Sequence, residues 1–163
     1  RYTVAAGAVG LAQACLDAGL GPGSKVGMYM FNAPEYAESN FAAIKFRGVP
    51  INVNYRYLDD ELHYLLDNAD IEALVFHRSL GDRVARVSER LGGLRLLVEV
   101  DDGPPPDGGE GPAAAVGYEQ LLAAVAPAER VAPRLKRVSL TIDDSLIRPA
   151  FDNLLWTWYG AQP

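Results

Sequence analysis

The stretch FNAPEYAESNFAAIKFRGVPINVNYRY, residues 31–57, decides the fold. Its first half reads as a helix. Asn32 stands where a cap belongs, and Glu35 three residues later completes a capping box. Pro34 costs nothing in a first helical turn, where its missing N–H would have no partner. Ala37, Phe41 and Ile44 recur at i, i+4 and i+7 and predict one buried stripe. Gly48 ends the helix. The run VPINV, 49–53, reads as a strand, and just past it comes a polar, aromatic Asn54-Tyr55-Arg56-Tyr57.

The same alternation extends to either side. An Ala-rich helix over 4–18 is stopped by Gly19, Gly21, Pro22 and Gly23, and 25–31 (KVGMYMF) reads as a strand. Downstream come a helix over 59–68 with Leu62, Leu65 and Leu66 inward, and a strand over 72–77. A charged helix over 80–91, a strand over 94–100 and a short helix near 118–125 complete the series. Strands that are apolar on both faces, alternating with helices, predict an α/β fold: a mostly parallel sheet with helices on both faces. The segment DDGPPPDGGEGPAA, 101–114, has the composition of a linker.

Composition narrows the function classes. Over 163 residues the net charge is −6, so no basic face is available to neutralise nucleic-acid phosphates. No apolar run reaches the length of a membrane span. The single cysteine, Cys15, allows no intrachain disulfide, and a cytoplasmic setting is expected.

Most candidate chemistry has a structural explanation. The glycines of GLGPGSKV lie after a helix and before a strand, the reverse of a dinucleotide-binding turn, and read as a turn. His63, His77 and Cys15 lack metal-ligand spacing. His77 closes a strand and reads as a loop-positioning residue, and Cys15 as a small core residue. Asp59, Asp60 and Glu61 open a helix, where capping and the helix dipole account for them. Arg78, Arg83, Arg86 and Arg90 alternate with Asp82 and Glu89, as on a solvated face. Arg56 has two readings. It follows a buried strand, where parallel sheets place ligands, and guanidinium suits phosphate, with Tyr55 and Tyr57 able to stack. Equally, it is a loop arginine in water.

Residues 11–100 resemble the N-terminal subdomain of the adenylate-forming (AMP-binding) superfamily, specifically acyl-CoA synthetases of the fatty-acid–CoA ligase group. The resemblance is carried by LDAGLGPGSKVGMYMFNAPEYAESNFAAIKFRGVPINVNYRYLDDELHYLLDNADIEALVF. The helix, the G-x-G-x-x-V turn, the strand ending in Asn32, the PEY helix start and GVPINVNYRYLDDELHYLL are in register. YEQLLAA is similar to the family's stretch before its phosphate loop, and the NYRY variant to bacterial fatty-acyl or steroid-side-chain ligases.

This resemblance implies a two-step ligation. ATP, accompanied by Mg²⁺, and a carboxylic acid give an acyl-adenylate and pyrophosphate, and the coenzyme A thiol then displaces AMP. It implies that Arg56 contacts the coenzyme A nucleotide phosphate, and carries over no catalytic or metal-binding residue. The family's Ser/Thr/Gly-rich loop ending in Pro-Lys-Gly does not follow ERVAPR; LKRVSLTIDDSLIRPAFDNLLWTWYGAQP stands there instead. RYTVAAGAVG also departs from the family's more polar helix start. The expected organisation is an α/β subdomain piece over 1–100, a linker over 101–116, a short helix and extended segment over 117–134, and an atypical tail over 135–163. A fragment of this kind is expected to be inactive alone, to hold no cofactor tightly and to self-associate through exposed apolar surface. The alternative is a non-catalytic α/β module that binds a nucleotide or a protein.

Overall fold

The computed structural model describes residues 4–103, 108–109 and 111–124. The expected atypical tail over 135–163 lies outside these residues. The elements run α1 (Val4–Asp17), β1 (Lys25–Tyr29), α2 (Pro34–Lys45), β2 (Val49–Val53), α3 (Asp59–Asn68) and β3 (Ile71–His77). A 3-10 turn (Arg78–Leu80), α4 (Gly81–Ser88), β4 (Leu96–Val100), β5 (Val116–Gly117) and α5 (Tyr118–Ala124) follow. The sheet order is β2-β1-β3-β4-β5, and every neighbouring pair is parallel. The expected parallel α/β architecture is therefore the observed one. Pro50 falls in an edge strand, where a missing N–H donor is tolerated.

The period-2 geometry of the strands divides the core in two. Val26, Met28 and Met30 of the first strand segment point to one face, with Ala73, Val75 and Val98, and pack under α1, α2 and α5. Tyr29, Leu74 and Phe76 point to the other, under Leu62 and Leu66 of α3 and Val84 and Val87 of α4. Gly27 shares that second face, where an added Cβ would come within 2.9 Å of Leu74 Cδ1; its bareness lets the layers close. Each fully buried aliphatic side chain contributes about 1.5–3 kcal/mol relative to exposure.

The structure corrects several local expectations. Asn32 does not cap α2: the cap position is Ala33, extended at φ −151° and ψ 162°, with no side-chain hydrogen bond. Pro34 forces its predecessor out of the helical region, so the helix starts one residue later than a cap at Asn32 requires. The stripe of Ala37, Phe41 and Ile44 is not buried; Phe41 and Ile44 are 56% and 59% exposed. Glu38, Ser39, Ala42 and Ala43 are buried instead. The α2 face that meets α1 is built of small residues, with Ala42 and Ala43 in one cluster with Leu11, Ala12 and Cys15. The first and fourth strands are shorter than 25–31 and 94–100. The 101–116 segment contains part of β5, which pairs with β4, and Tyr118 and Leu122 of α5 join the core of the first face.

One polar contact is sealed in that first face. Tyr118 Oη donates to Glu38 Oε2, both residues being buried. Burial, then the carboxylate beside it, pushes the Tyr118 phenol well above its ordinary range and keeps it a donor. Gly7 of α1 lies against this pair: a Cβ there would sit 2.8 Å from Tyr118 Oη and collide with the Glu38 carboxylate.

Candidate functional site

In a parallel sheet the strands' carboxyl ends deliver their loops to one edge, and ligands collect where the strand order reverses. Here β1 leads by α2 to β2 on one side, and β3 leads by α4 to β4 on the other, so the reversal lies between β1 and β3.

At that point the loops are tied to each other. The Phe31 backbone N–H donates to His77 Nδ1 at 3.2 Å. Nδ1 is then an acceptor, so the imidazole is neutral with its proton on Nε2. Burial pushes the His77 pKa below its ordinary value, against the opposing pull of Asp102 and Glu35. Asp102 Oδ2 is 3.5 Å from Nδ1, a contact of charge rather than a hydrogen bond while the ring is neutral. The same carboxylate accepts the Ser79 N–H at 2.9 Å and the Ser79 hydroxyl at 2.5 Å. Ser79 thus donates to the carboxylate and not to the imidazole, so the three do not form a nucleophile–base relay. His77 is a loop-positioning residue, as expected from its place at a strand end. Beside it, Arg78 holds Glu99 at 2.7 Å and Asp101 at 2.9 Å, which joins the ends of β3 and β4.

Arg56 lies in the loop after β2. Its backbone N–H donates to Asn54 Oδ1 at 3.1 Å, and the Tyr57 N–H donates to the Asn54 carbonyl at 3.0 Å, so Asn54 shapes the turn twice over. The Arg56 side chain is exposed. Its Cζ lies 5.5 Å from the centroid of the Tyr55 ring. That ring is 4.7 Å from Phe31, which is 5.5 Å from His77. A row of aromatic rings therefore runs from the strand reversal to Arg56. Tyr57 takes no part in the row and packs toward the second core face. Among the described residues Arg56 enters no ion pair, in contrast to Arg78, Arg86, Arg90 and Arg95. An exposed guanidinium with an aromatic ring beside it and no carboxylate partner fits a phosphate ligand.

Two residues that hold this loop escaped the sequence reading. Tyr29, wholly buried in β1, donates its hydroxyl to the Tyr57 carbonyl at 2.8 Å. Arg83 Nη1 lies 3.3 Å from Tyr29 Oη and 3.5 Å from the carbonyls of Tyr55 and Tyr57. Arg83 is thus turned into the loop and does not belong to a solvated face. The signal available for Tyr29 was a tyrosine in an otherwise aliphatic strand, whose hydroxyl must find a partner when buried. Arg86 fits the expected surface role, with Asp59 at 2.7 Å and Asp82 at 3.0 Å. Capping of α3 falls to Glu61, whose Oε2 accepts the Leu58 N–H at 3.1 Å. Cys15 is buried on the far face, where desolvation pushes its thiol up to about 12 and makes it inert. No three metal-ligating side chains gather among the described residues. Nor is any helix of the described residues long and apolar enough to cross a membrane.

Comparison with known proteins gives this geometry its context. Residues 3–139 match the model of the AMP-binding enzyme family. A 3-oxocholest-4-en-26-oate–CoA ligase from Rhodococcus rhodochrous is 39% identical over 121 residues, which are 72% of this chain and 21% of that protein. A medium/long-chain-fatty-acid–CoA/3-oxocholest-4-en-26-oate–CoA ligase from Mycobacterium marinum is 41% identical over 97 residues, 60% of this chain and 18% of that protein. The chain therefore spans about a fifth of the length of these curated relatives. In fold it is similar to the crystal structure of the anthranilate–CoA ligase AuaEII in complex with anthranoyl-AMP. The TM-score is 0.64 at 18% identity, over 74% of this chain and 22% of that one. The match to the family model over residues 3–139, most of the chain, makes this chain a member of the AMP-binding enzyme family.

Proposed function

We propose that this chain forms the amino-terminal α/β subdomain of an ATP-dependent carboxylic acid–coenzyme A ligase that acts through an acyl-adenylate. Its acid would be a fatty acid or a steroid side-chain acid. The observation that carries this reading is the 39–41% identity to relatives named for those ligations. The reaction joins the acid to AMP with release of pyrophosphate, and the coenzyme A thiol then takes the acyl group as AMP leaves. ATP with Mg²⁺ supplies the activating chemistry. Arg56 is the residue assigned to coenzyme A, through a charge-assisted contact to its nucleotide phosphate, while the Tyr55 ring steadies the guanidinium. In this reading the carboxyl-edge loops position and the sheet supports. A cytoplasmic setting goes with a lone, buried thiol. Self-association of the chain follows from Phe41, Ile44 and Val49, which are large, apolar and exposed.

The test is a chimera in which the matched residues of this chain replace the corresponding segment of the Mycobacterium marinum relative. It should form fatty acyl-CoA. Arg56→Ala in that chimera should raise KM for coenzyme A about tenfold or more, the value of a lost charge-assisted bond, and leave KM for ATP unchanged. A folded chimera without ligase activity would reject the reading. The 163-residue chain alone should show no ATP–pyrophosphate exchange with any acid of a medium- to long-chain panel. Exchange above a heat-denatured control would show that it holds a working phosphate site of its own.

A further inference from the structure

The loop that carries Arg56 has five residues between the last residue of β2, Val53, and the first of α3, Asp59. A loop this short and polar would be expected to take its shape from its own turn. Here it does so only in part. Its underside is reached by a hydroxyl from inside the core and by a guanidinium from a helix 26 residues beyond Tyr57 in the chain.

We propose that Tyr29 and Arg83 are positioning residues for Arg56: they fix the backbone of residues 55–57 before any ligand arrives, and they do not touch the ligand themselves. The proposal rests on the reading of Arg56 as a phosphate contact. Tyr29 is wholly buried, so its ring is fixed by the packing around it. Its 2.8 Å bond to the Tyr57 carbonyl transfers that rigidity to the loop. Arg83 Nη1 has two hydrogens for three oxygens at 3.3–3.5 Å. Each contact is weak alone, but together they place one positive charge under the carbonyls on either side of Arg56. With both carbonyls held inward, the side chain of Arg56 is left on the outer surface, next to the Tyr55 ring. A contact ordered in advance loses less entropy on binding, which is why residues that never meet a ligand can govern its affinity.

The test uses the chimera with the Mycobacterium marinum relative described above, with adenosine 3′,5′-bisphosphate as probe. Tyr29→Phe removes the hydroxyl and keeps the ring; Arg83→Lys keeps the charge and loses the fork; Arg56→Ala is the reference. Amide hydrogen exchange should rise about fivefold or more at residues 55–58 in Tyr29→Phe, the value of one neutral hydrogen bond, with the strands unchanged. Bisphosphate affinity should fall by a similar factor in Tyr29→Phe, and by less in Arg83→Lys than in Arg83→Ala. A Tyr29→Phe chain that exchanges as wild type at 55–58 overturns the proposal. So does one that exchanges faster but binds as tightly. If Arg56→Ala binds as well as wild type, or wild type does not bind, the reading of Arg56 fails and the positioning role fails with it. That outcome is told apart because Tyr29→Phe is then not the variant that decides it.

Discussion

The two edges of the sheet are held by different physics. At the amino edge the turns are tied by charges in water. Lys25 meets Asp70 at 3.1 Å, with the aspartate side chain 81% exposed, and Arg95 bridges Glu72 at 3.4 Å and the Gly19 carbonyl at 2.9 Å. The cavity of about 330 Å³ at that edge, lined by Leu66, Asp70, Ile71, Gly92 and Arg95, contains none of the residues assigned to a ligand. The carboxyl edge also has charge pairs, those of Arg78, but adds directional bonds from buried rings: the Tyr29 hydroxyl to the loop after β2, and the His77 imidazole to the turn after β1. Exposed ion pairs are each worth about 0–1 kcal/mol and bend easily. Buried bonds from fixed rings hold a loop in one place. The edge expected to meet a ligand is the one that the core itself reaches out to hold.

The comparison breaks most visibly if the carboxyl edge is undercut. Tyr29→Ala should cost about 3–5 kcal/mol, from the cavity left by a buried aromatic ring, as measured by urea denaturation. A loss below about 1 kcal/mol would mean that the ring is not a structural pin. A smaller effect is expected from pH. The His77 pKa is depressed in the folded chain by burial. The unfolded state therefore binds more protons near and below pH 6.5, so the stability due to neutral His77 is complete above that pH and falls as pH drops through the folded value. His77→Gln should flatten that part of the pH–stability profile; an unchanged slope would remove His77 as its cause. The amino edge should even improve on substitution. Arg47, after α2, adopts φ 62°, and Arg47→Gly should gain about 0.5–1 kcal/mol by relieving it. Least of all, Lys25→Ala should change stability by no more than about 0.5 kcal/mol, and the change should vanish in high salt.

The order of elements was legible because burial on both faces leaves the strands almost wholly apolar and the helices between them periodic. What misled was size. On α2 the pattern of large apolar residues pointed to Phe41 and Ile44, yet the buried face is Glu38, Ser39, Ala42 and Ala43. Helices in close contact are faced with small residues, and alanine carries little weight in a hydrophobic count. Ser39 also satisfies itself by donating to the Glu35 carbonyl at 2.7 Å, so its burial leaves no sign in the sequence. Arg56 was legible as a position, since strand-end loops are where ligands meet parallel sheets. Its supports were not: Tyr29 and Arg83 are 54 residues apart, and Arg83 sits among arginines that do face solvent. β5 is two residues long and carries no periodicity at all.

Gly7 reverses the usual arithmetic of a helix. In an exposed helix interior, alanine in place of glycine gains about 1 kcal/mol. Here the missing side chain is a window through which Glu38 and Tyr118 reach each other across α1. A library screened for helix-improving changes would therefore find this the position where the best helix former does harm. Tolerance at residue 7 would report on whether α5 is docked rather than on the helix that contains it.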